Sequence, residues 1–200
     1  MNFFTDYFPP YQRTMKIVLT SIMTALVCVA TLILYIPIPN TPGGYFNVGE
    51  VIIYLTAILF GPIIGGLAGG AGAALADVFV APQYAPGTFI IKFCAGFIIG
   101  YFIYTIRLKS WENWKAKVIY LTAFIIGGAV MVLGYFIYEA YIWPVIIGPE
   151  AGFIIAVGSL PWNSVQALLS AIVAIPASVA ILKGLPELNL KRIDYSKKID

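Results

Sequence analysis

A few polar side chains stand inside or beside long apolar stretches of this 200-residue sequence, and they are its candidates for chemistry. The ionisable ones are Glu50, Asp77, Lys92, Glu139 and Glu150. The carboxamides Asn163 and Gln166 are spaced as on one face of a helix. In apolar surroundings such groups usually pair or line a cavity. We therefore expect either a buried ion pair of Lys92 with Glu50, Asp77 or Glu139, or a polar chamber for a small molecule.

The sequence offers little for catalysis or metal binding. It contains no His, and both of its cysteines, Cys28 and Cys94, lie in apolar runs. No Ser has an evident general base, and no Gly-Lys-Ser/Thr phosphate loop is present. Twelve Lys and Arg against nine Asp and Glu leave a net charge of +3, which does not indicate nucleic-acid binding. We predict no metal, no cofactor and no enzymatic activity in this chain.

The composition is that of a membrane protein. Hydrophobic residues make up 60% of the chain, charged residues 10%, and the mean hydropathy is +0.91. Since one crossing takes about 20 residues, we predict an all-α bundle of six transmembrane helices that embeds residues 14–182 in the lipid bilayer. The predicted helices are 14–36, 46–60, 62–80, 87–106, 117–142 and 160–182. Residues 1–13 form an interfacial segment, and 183–200 a cytoplasmic basic tail. Because 46–60 is short, a re-entrant segment is the alternative there.

Basic residues indicate the orientation, since Lys and Arg collect in cytoplasmic loops. They cluster before the first predicted helix, within 107–117 and beyond the last helix. Both termini are therefore expected in the cytoplasm, with an even number of crossings between the clusters. The connections on the other side, around 37–45, 81–86 and 143–159, lack Lys and Arg and are rich in proline. We expect them to cap an outer face, towards which the buried ionisable groups lie.

Small residues recur at every fourth position on three predicted helices. Gly61, Gly65 and Gly69 form one row, and Gly96 and Gly100 form another. Such rows allow helix backbones to approach closely in lipid, so we predict helix packing there and expect the third helix to be the most enclosed. Ser21 and Ala25 have the same spacing on the first helix. They could pack within the fold or dock a partner subunit.

Four segments together resemble one known family. They are YFNVGEVIIYLTAILFGPIIGGLAGGAGAALAD (45–77), YAPGTFIIKFCAGFIIG (84–100), GYFIYEA (134–140) and LPWNSVQALL (160–169). They are similar, in order and spacing over 14–182, to the S components of energy-coupling-factor (ECF) vitamin transporters. The resemblance is strongest to the branch with riboflavin-type and hydroxymethylpyrimidine- or pyridoxine-type subunits.

The resemblance implies a subunit of an ATP-driven importer in a prokaryotic plasma membrane. It would capture a small water-soluble vitamin or precursor on the extracellular face. A transmembrane coupling subunit and two cytoplasmic ATPases would supply the energy. The small patch on the first helix would meet the coupling subunit, although Ser21 stands where the family commonly has alanine.

Our hypothesis for the ligand site combines the polar chamber predicted from the buried polar residues with the family resemblance. The candidate ligand-binding residues are Asn47, Tyr84, Lys92, Glu139, Trp143, Asn163 and Gln166, beneath a lid formed by 37–46. The alternative is a stand-alone secondary transporter or channel that uses Asp77 or Glu139 as a proton site. The sequence does not identify the vitamin.

Overall fold

The computed structural model describes residues 13–39, 41–105, 114–147 and 152–185, and its architecture is almost entirely helical. The elements are α1 (Arg13–Ile33), β1 (Ile36–Pro37), β2 (Tyr45–Phe46), α2 (Gly49–Phe60), α3 (Pro62–Val80), α4 (Ala85–Thr105), α5 (Trp114–Ile137), a π-helical segment (Tyr138–Ile142), α6 (Trp143–Ile147) and α7 (Phe153–Gly184). The predicted all-α membrane fold is confirmed. Outside the described residues lie most of the N-terminal segment, residues 107–113 of the basic 107–117 loop, Glu150 and the tail from 186.

Five of the predicted spans are long and apolar enough to cross a bilayer. They are 14–33, 62–80, 85–104, 117–145 and 153–184. The predicted second helix is present but short, because α2 has 12 residues and a length of about 18 Å. It contacts α1, α3, α4 and α7, and most of its residues are buried. Protein rather than lipid surrounds α2, so it need not match the hydrocarbon thickness.

The last helix begins earlier than its sequence signals suggest. We predicted a start at residue 160 with Pro161 in the first turn, whereas α7 begins at Phe153 and holds Pro161 and Pro176 in its interior. Much of the predicted 143–159 connection is therefore helical. Packing of α7 against α2, α5 and the π-helical segment compensates for the hydrogen bonds that the prolines cannot make.

Four of the predicted packing glycines, Gly65, Gly69, Gly96 and Gly100, lie at close helix contacts. A Cβ atom on Gly96 would lie 2.6 Å from the carbonyl oxygen of Gly65, so α3 and α4 touch backbone to backbone. The prediction that α3 is the most enclosed of the six helices is wrong, although α3 does have the largest buried share among the five long ones. The shorter α2 is enclosed still more fully.

Gly61 has a different role from the other four. It ends α2 and precedes α3 with a φ of +85°, a backbone conformation that glycine adopts readily and other residues rarely do. Pro62 follows at the first position of α3, where its missing N–H is not needed. Gly61 therefore makes the sharp break that allows two consecutive helices to lie side by side.

A short hairpin marks one end of the bundle. Its strands β1 and β2 are antiparallel, with Ile36 opposite Phe46 and Pro37 opposite Tyr45, and β2 touches α7. We call this the hairpin end. One apolar cluster, which includes Tyr84, Met131 and Trp143, lies here. A larger one, which includes Ile53, Ile99 and Phe124, fills the bundle further along, towards what we call the opposite end.

Candidate ligand-binding site

A cavity lies under the hairpin, and the free space within it together with the open solvent at its mouth is about 490 Å³. The hairpin, α2, α3, α4, α7 and the helical stretch through the π-helical segment all contribute side chains to it. Six of the seven candidate ligand-binding residues line it: Asn47, Tyr84, Lys92, Glu139, Asn163 and Gln166. Residues scattered over 120 positions of sequence thus converge, as the chamber hypothesis expected.

The seventh candidate, Trp143, occupies another position. It is buried behind Tyr84, with 5.0 Å between the two ring centroids, and it does not line the cavity. Its ring packs against the Tyr84 ring, which lines the cavity. A role for Trp143 is therefore indirect in this arrangement.

Lys92 forms a buried ion pair with Glu50. Its Nζ donates to Glu50 Oε2, and both residues are almost completely inaccessible to solvent. Of the three acids that the sequence left open, the structure selects this one. Lys92 lines the cavity while Glu50 lies behind it, and the ammonium is 5.2 Å from the centroid of the Tyr135 ring. An ion pair of this kind is stable only when both partners are present.

Asp77 joins the hairpin to α3. The Tyr45 hydroxyl donates to Asp77 Oδ1, and both residues line the cavity. Burial, with the neighbouring Asp77 carboxylate, raises the pKa of Tyr45, so this hydroxyl remains protonated and a donor. The contact fastens the hairpin over the cavity.

Glu139 lies in the π-helical segment and receives two hydroxyl contacts. The Tyr84 hydroxyl donates to Oε1 at 3.0 Å, and the Ser159 hydroxyl, from the first turns of α7, donates to Oε2. Burial and the adjacent carboxylate also raise the pKa of Tyr84, which keeps it a donor. A π-helical turn often marks a functional site, and this one turns Glu139 towards the cavity.

Two of the carboxamide side chains accept hydrogen bonds from backbone N–H groups and also line the cavity. Gln166 Oε1 accepts a hydrogen bond from the backbone N–H of Asn47 at 2.9 Å. Asn47 Oδ1 accepts one from the N–H of Gly49, also at 2.9 Å, at the beginning of α2. These contacts fix the chain between the hairpin and α2 against α7. Asn163, one turn before Gln166, lines the cavity beside them.

The sequence hypothesis omitted several cavity residues. Asp77 was among the chamber candidates but was not assigned to the ligand, and Tyr45 was included only in the 37–46 lid. Thr88 and Tyr135 line the cavity but were not among the candidate ligand-binding residues. Ser159, which contacts Glu139 without lining the cavity, was missed. The Thr88 and Tyr135 hydroxyls are 3.0 Å apart. Ser159 was assigned to a loop because α7 was predicted to begin after it. Within the described ranges, no group of three or more His, Cys, Asp or Glu residues is placed to hold a metal ion.

Ser21 and Ala25 lie far from the cavity, on the exposed side of α1. The large apolar residues Ile17, Ile22 and Leu26 beside them are also exposed. The other side of α1 packs through Val27 against Gly72 of α3. Within the part of the chain that the structure describes, the small patch is therefore exposed rather than packed against another helix.

A family model described as "ECF-type riboflavin transporter, S component" matches residues 12–183. The chain belongs to this family. The match spans the whole described bundle and confirms the resemblance seen in the sequence. This S component is thus a substrate-binding transporter subunit in a membrane, which agrees with the prediction that it is not an enzyme.

Solved structures show the same fold. An S component of a bacterial ECF transporter is similar with a TM-score of 0.63 and 22% identity, over 87% of this chain and 99% of that one. ThiT from Listeria monocytogenes is similar with a TM-score of 0.63 and 21% identity, over 90% of this chain and 99% of its own. An uncharacterised Pyrococcus woesei protein is 45% identical over 109 residues, which are 54% of this S component and 68% of that protein.

Proposed function

We propose that this S component captures a small water-soluble vitamin or vitamin precursor at its hairpin end, which faces the outside of a prokaryotic cell. The observation that carries the proposal is the cavity, where buried polar side chains from several helices and the hairpin converge. A pocket with flat aromatic walls and a few converging polar groups is typical of small-molecule binding.

Each polar group has a specific role in the proposed site. Glu139 accepts a hydrogen bond from a ring amine or hydroxyl, and Lys92 donates one or balances charge. Asn163 and Gln166 bind a second edge of the ligand. Tyr84 forms a wall supported by Trp143, and Asn47 holds the hairpin connection in place. Residues 37–46 form the lid.

The distribution of basic residues supports the orientation. Lys16 lies at the beginning of α1, Lys117 near the beginning of α5 and Lys183 near the end of α7. All three positions are at the opposite end of the bundle. In the described part of the hairpin end, no Lys or Arg lies outside the cavity. By the positive-inside rule, this distribution supports a cytoplasmic position for the opposite end.

Energy for transport comes from other subunits in this proposal. The chain has no Gly-Lys-Ser/Thr phosphate loop, so ATP is hydrolysed by two cytoplasmic ATPases. A transmembrane coupling subunit docks against Ser21 and Ala25, whose small side chains on exposed α1 allow a partner helix to approach closely.

The test of ligand capture uses the purified S component in detergent. Native mass spectrometry should detect one bound small molecule per chain without ATP. Glu139→Ala and Asn163→Ala should each weaken its binding about tenfold, which is about 1.4 kcal/mol. Ser164→Ala is the control, because this exposed hydroxyl bonds the Leu160 carbonyl of its own helix. Unchanged affinity in both cavity variants, or proton-driven uptake by this chain alone in liposomes, would contradict the proposal.

The docking surface is tested separately. Ala25→Trp should abolish co-purification with the coupling subunit and ATPases while ligand binding persists. Leu133→Trp is the control, since Leu133 is an exposed apolar residue of α5 on another side of the bundle. Equal loss of co-purification with both variants would show that any bulky change on the membrane surface disrupts assembly, and would remove the assignment of Ser21 and Ala25.

A further inference from the structure

We infer that the ligand of this cavity is a compact aromatic heterocycle that carries positive charge and presents N–H donors on two of its edges. The inference rests on the proposed function, because it names the chemical class of the molecule bound at the same site. It follows from the balance of charge and of hydrogen-bond partners around the cavity.

The acidic groups around the cavity outnumber the basic ones. Three carboxyl groups, on Glu50, Asp77 and Glu139, accompany one ammonium group, on Lys92, and all four residues are buried. The ion pair of Lys92 with Glu50 is neutral as a whole, and the hydrogen-bond partners that the described residues give to Asp77 and Glu139 are hydroxyl groups. Burial disfavours the ionised form of an acid that lacks a cation, so a ligand that brings positive charge would stabilise both carboxylates.

The protein partners of the two remaining acids are neutral. Asp77 receives the Tyr45 hydroxyl, and Glu139 receives those of Tyr84 and Ser159. These contacts orient the two carboxyl groups without supplying a cation. Once ionised, a carboxylate offers about four acceptor positions, so both groups retain capacity for donors from a cationic ligand. The cavity is therefore better supplied with acceptors than with donors.

The placement of the two acids sets the shape of the ligand. Asp77 is on α3 and Glu139 is in the π-helical segment, and both line the same cavity. A bound ring must therefore present donors in two directions. The rings of Tyr84 and Tyr135 also line the cavity, with centroids 6.4 Å apart. Aromatic faces attract cations, and the Lys92 ammonium already lies 5.2 Å from the Tyr135 centroid.

The test compares three probes that share one pyridine ring and differ in the charge of one substituent. Pyridoxamine carries an aminomethyl cation, pyridoxine a neutral hydroxymethyl group and 4-pyridoxic acid a carboxylate. Calorimetry should show pyridoxamine binding at least about tenfold more tightly than pyridoxine, with the acid weakest. Asp77→Asn and Glu139→Gln, which keep shape but remove charge, should each reduce the preference for pyridoxamine about tenfold. The Ser164→Ala control should keep it.

Neutral riboflavin and any co-purified molecule complete the experiment. Tighter binding of riboflavin, pyridoxine or 4-pyridoxic acid than of pyridoxamine would overturn the inference and leave ligand capture intact. A charge preference that survives both carboxyl variants would also overturn it. If no probe binds, the charge of the co-purified molecule tests the inference instead. A cation or an amine would support it, and a neutral or anionic compound would contradict it. Absence of every ligand would instead refute the proposed function, and the inference with it.

Discussion

The two ends of the bundle are built from the same helices but have opposite character. On α4, Thr88 and Lys92 line the cavity, whereas Ile99 and Ile103, two and three turns further along, are in the apolar core. On α7, Gln166 lines the cavity and Ala174 lies in that core. The change from polar to apolar thus occurs within a few turns of each helix.

This difference shows that the cavity has a closed floor. Ile53 belongs both to the cavity lining and to the apolar core beneath it. The buried hydroxyls of Thr56 and Ser178, nearer the opposite end, donate to carbonyl groups of their own helices. A solute could not continue through such packing without opening it. Within the described residues, this packing favours a subunit with a closed centre rather than one with a channel through it.

The largest expected effect comes from the ion pair at the border of the two regions. Lys92→Met should lower the free energy of unfolding by about 3–5 kcal/mol, because it leaves Glu50 buried and unpaired. Denaturation in detergent micelles measures this. The double variant with Glu50→Leu should recover much of the loss. A single variant as stable as the parent would mean that the pair does not hold the two regions together.

A change beneath the cavity should affect stability and leave binding intact. Gly96→Ala should reduce the free energy of unfolding by about 1–3 kcal/mol, because its Cβ would press on the Gly65 carbonyl. The ligand Kd of the folded protein should stay within about twofold of the parent. Gly158→Ala is the matched control, since a Cβ there meets nothing within 4 Å. Equal stability of the two variants would contradict close α3–α4 packing.

A change inside the cavity should show the reverse pattern. Ser159→Ala removes one hydroxyl donor from Glu139 and should weaken ligand binding about fivefold, or about 1 kcal/mol, with little change in stability. Isothermal calorimetry compares it with Ser164→Ala, an exposed serine on the same helix. A result in which both substitutions weaken binding equally would place the effect in α7 as a whole rather than at Glu139.

The smallest expected effect concerns the hairpin. Tyr45→Phe releases the hairpin from Asp77 and should speed ligand dissociation about two- to fivefold, as measured by stopped-flow. Tyr35→Phe is the control, because Tyr35 stacks on Tyr45 with 4.6 Å between centroids but lies at the exposed surface. Unchanged dissociation in Tyr45→Phe would show that the hairpin does not retain the ligand.

The sequence was most informative where local signals determine the structure. The bounds of α3 were predicted correctly because Gly61 and Pro62 begin it and Ala81 and Pro82 follow its end. Six cavity residues could be chosen because isolated polar groups in apolar stretches are few. The beginning of α7 was wrong, since Pro161 is typical of a first turn and only tertiary packing shows that the helix continues before it.

Other features of the site depend on which helices are neighbours. From the sequence, three acids lay at a depth similar to that of Lys92, so each was a candidate for its ion-pair partner. Only the packing of α2 against α4 shows that the partner is Glu50. The contact of Ser159 with Glu139 likewise joins the beginning of α7 to a π-helical turn that no sequence signal indicated. Trp143 lies behind Tyr84 for the same reason.

The bond between Tyr45 and Asp77 has a consequence for the order of events at the mouth. Both residues line the cavity, so an arriving solute would contact the same pair that secures the hairpin. The bound ligand would then influence how long the hairpin stays closed over the cavity.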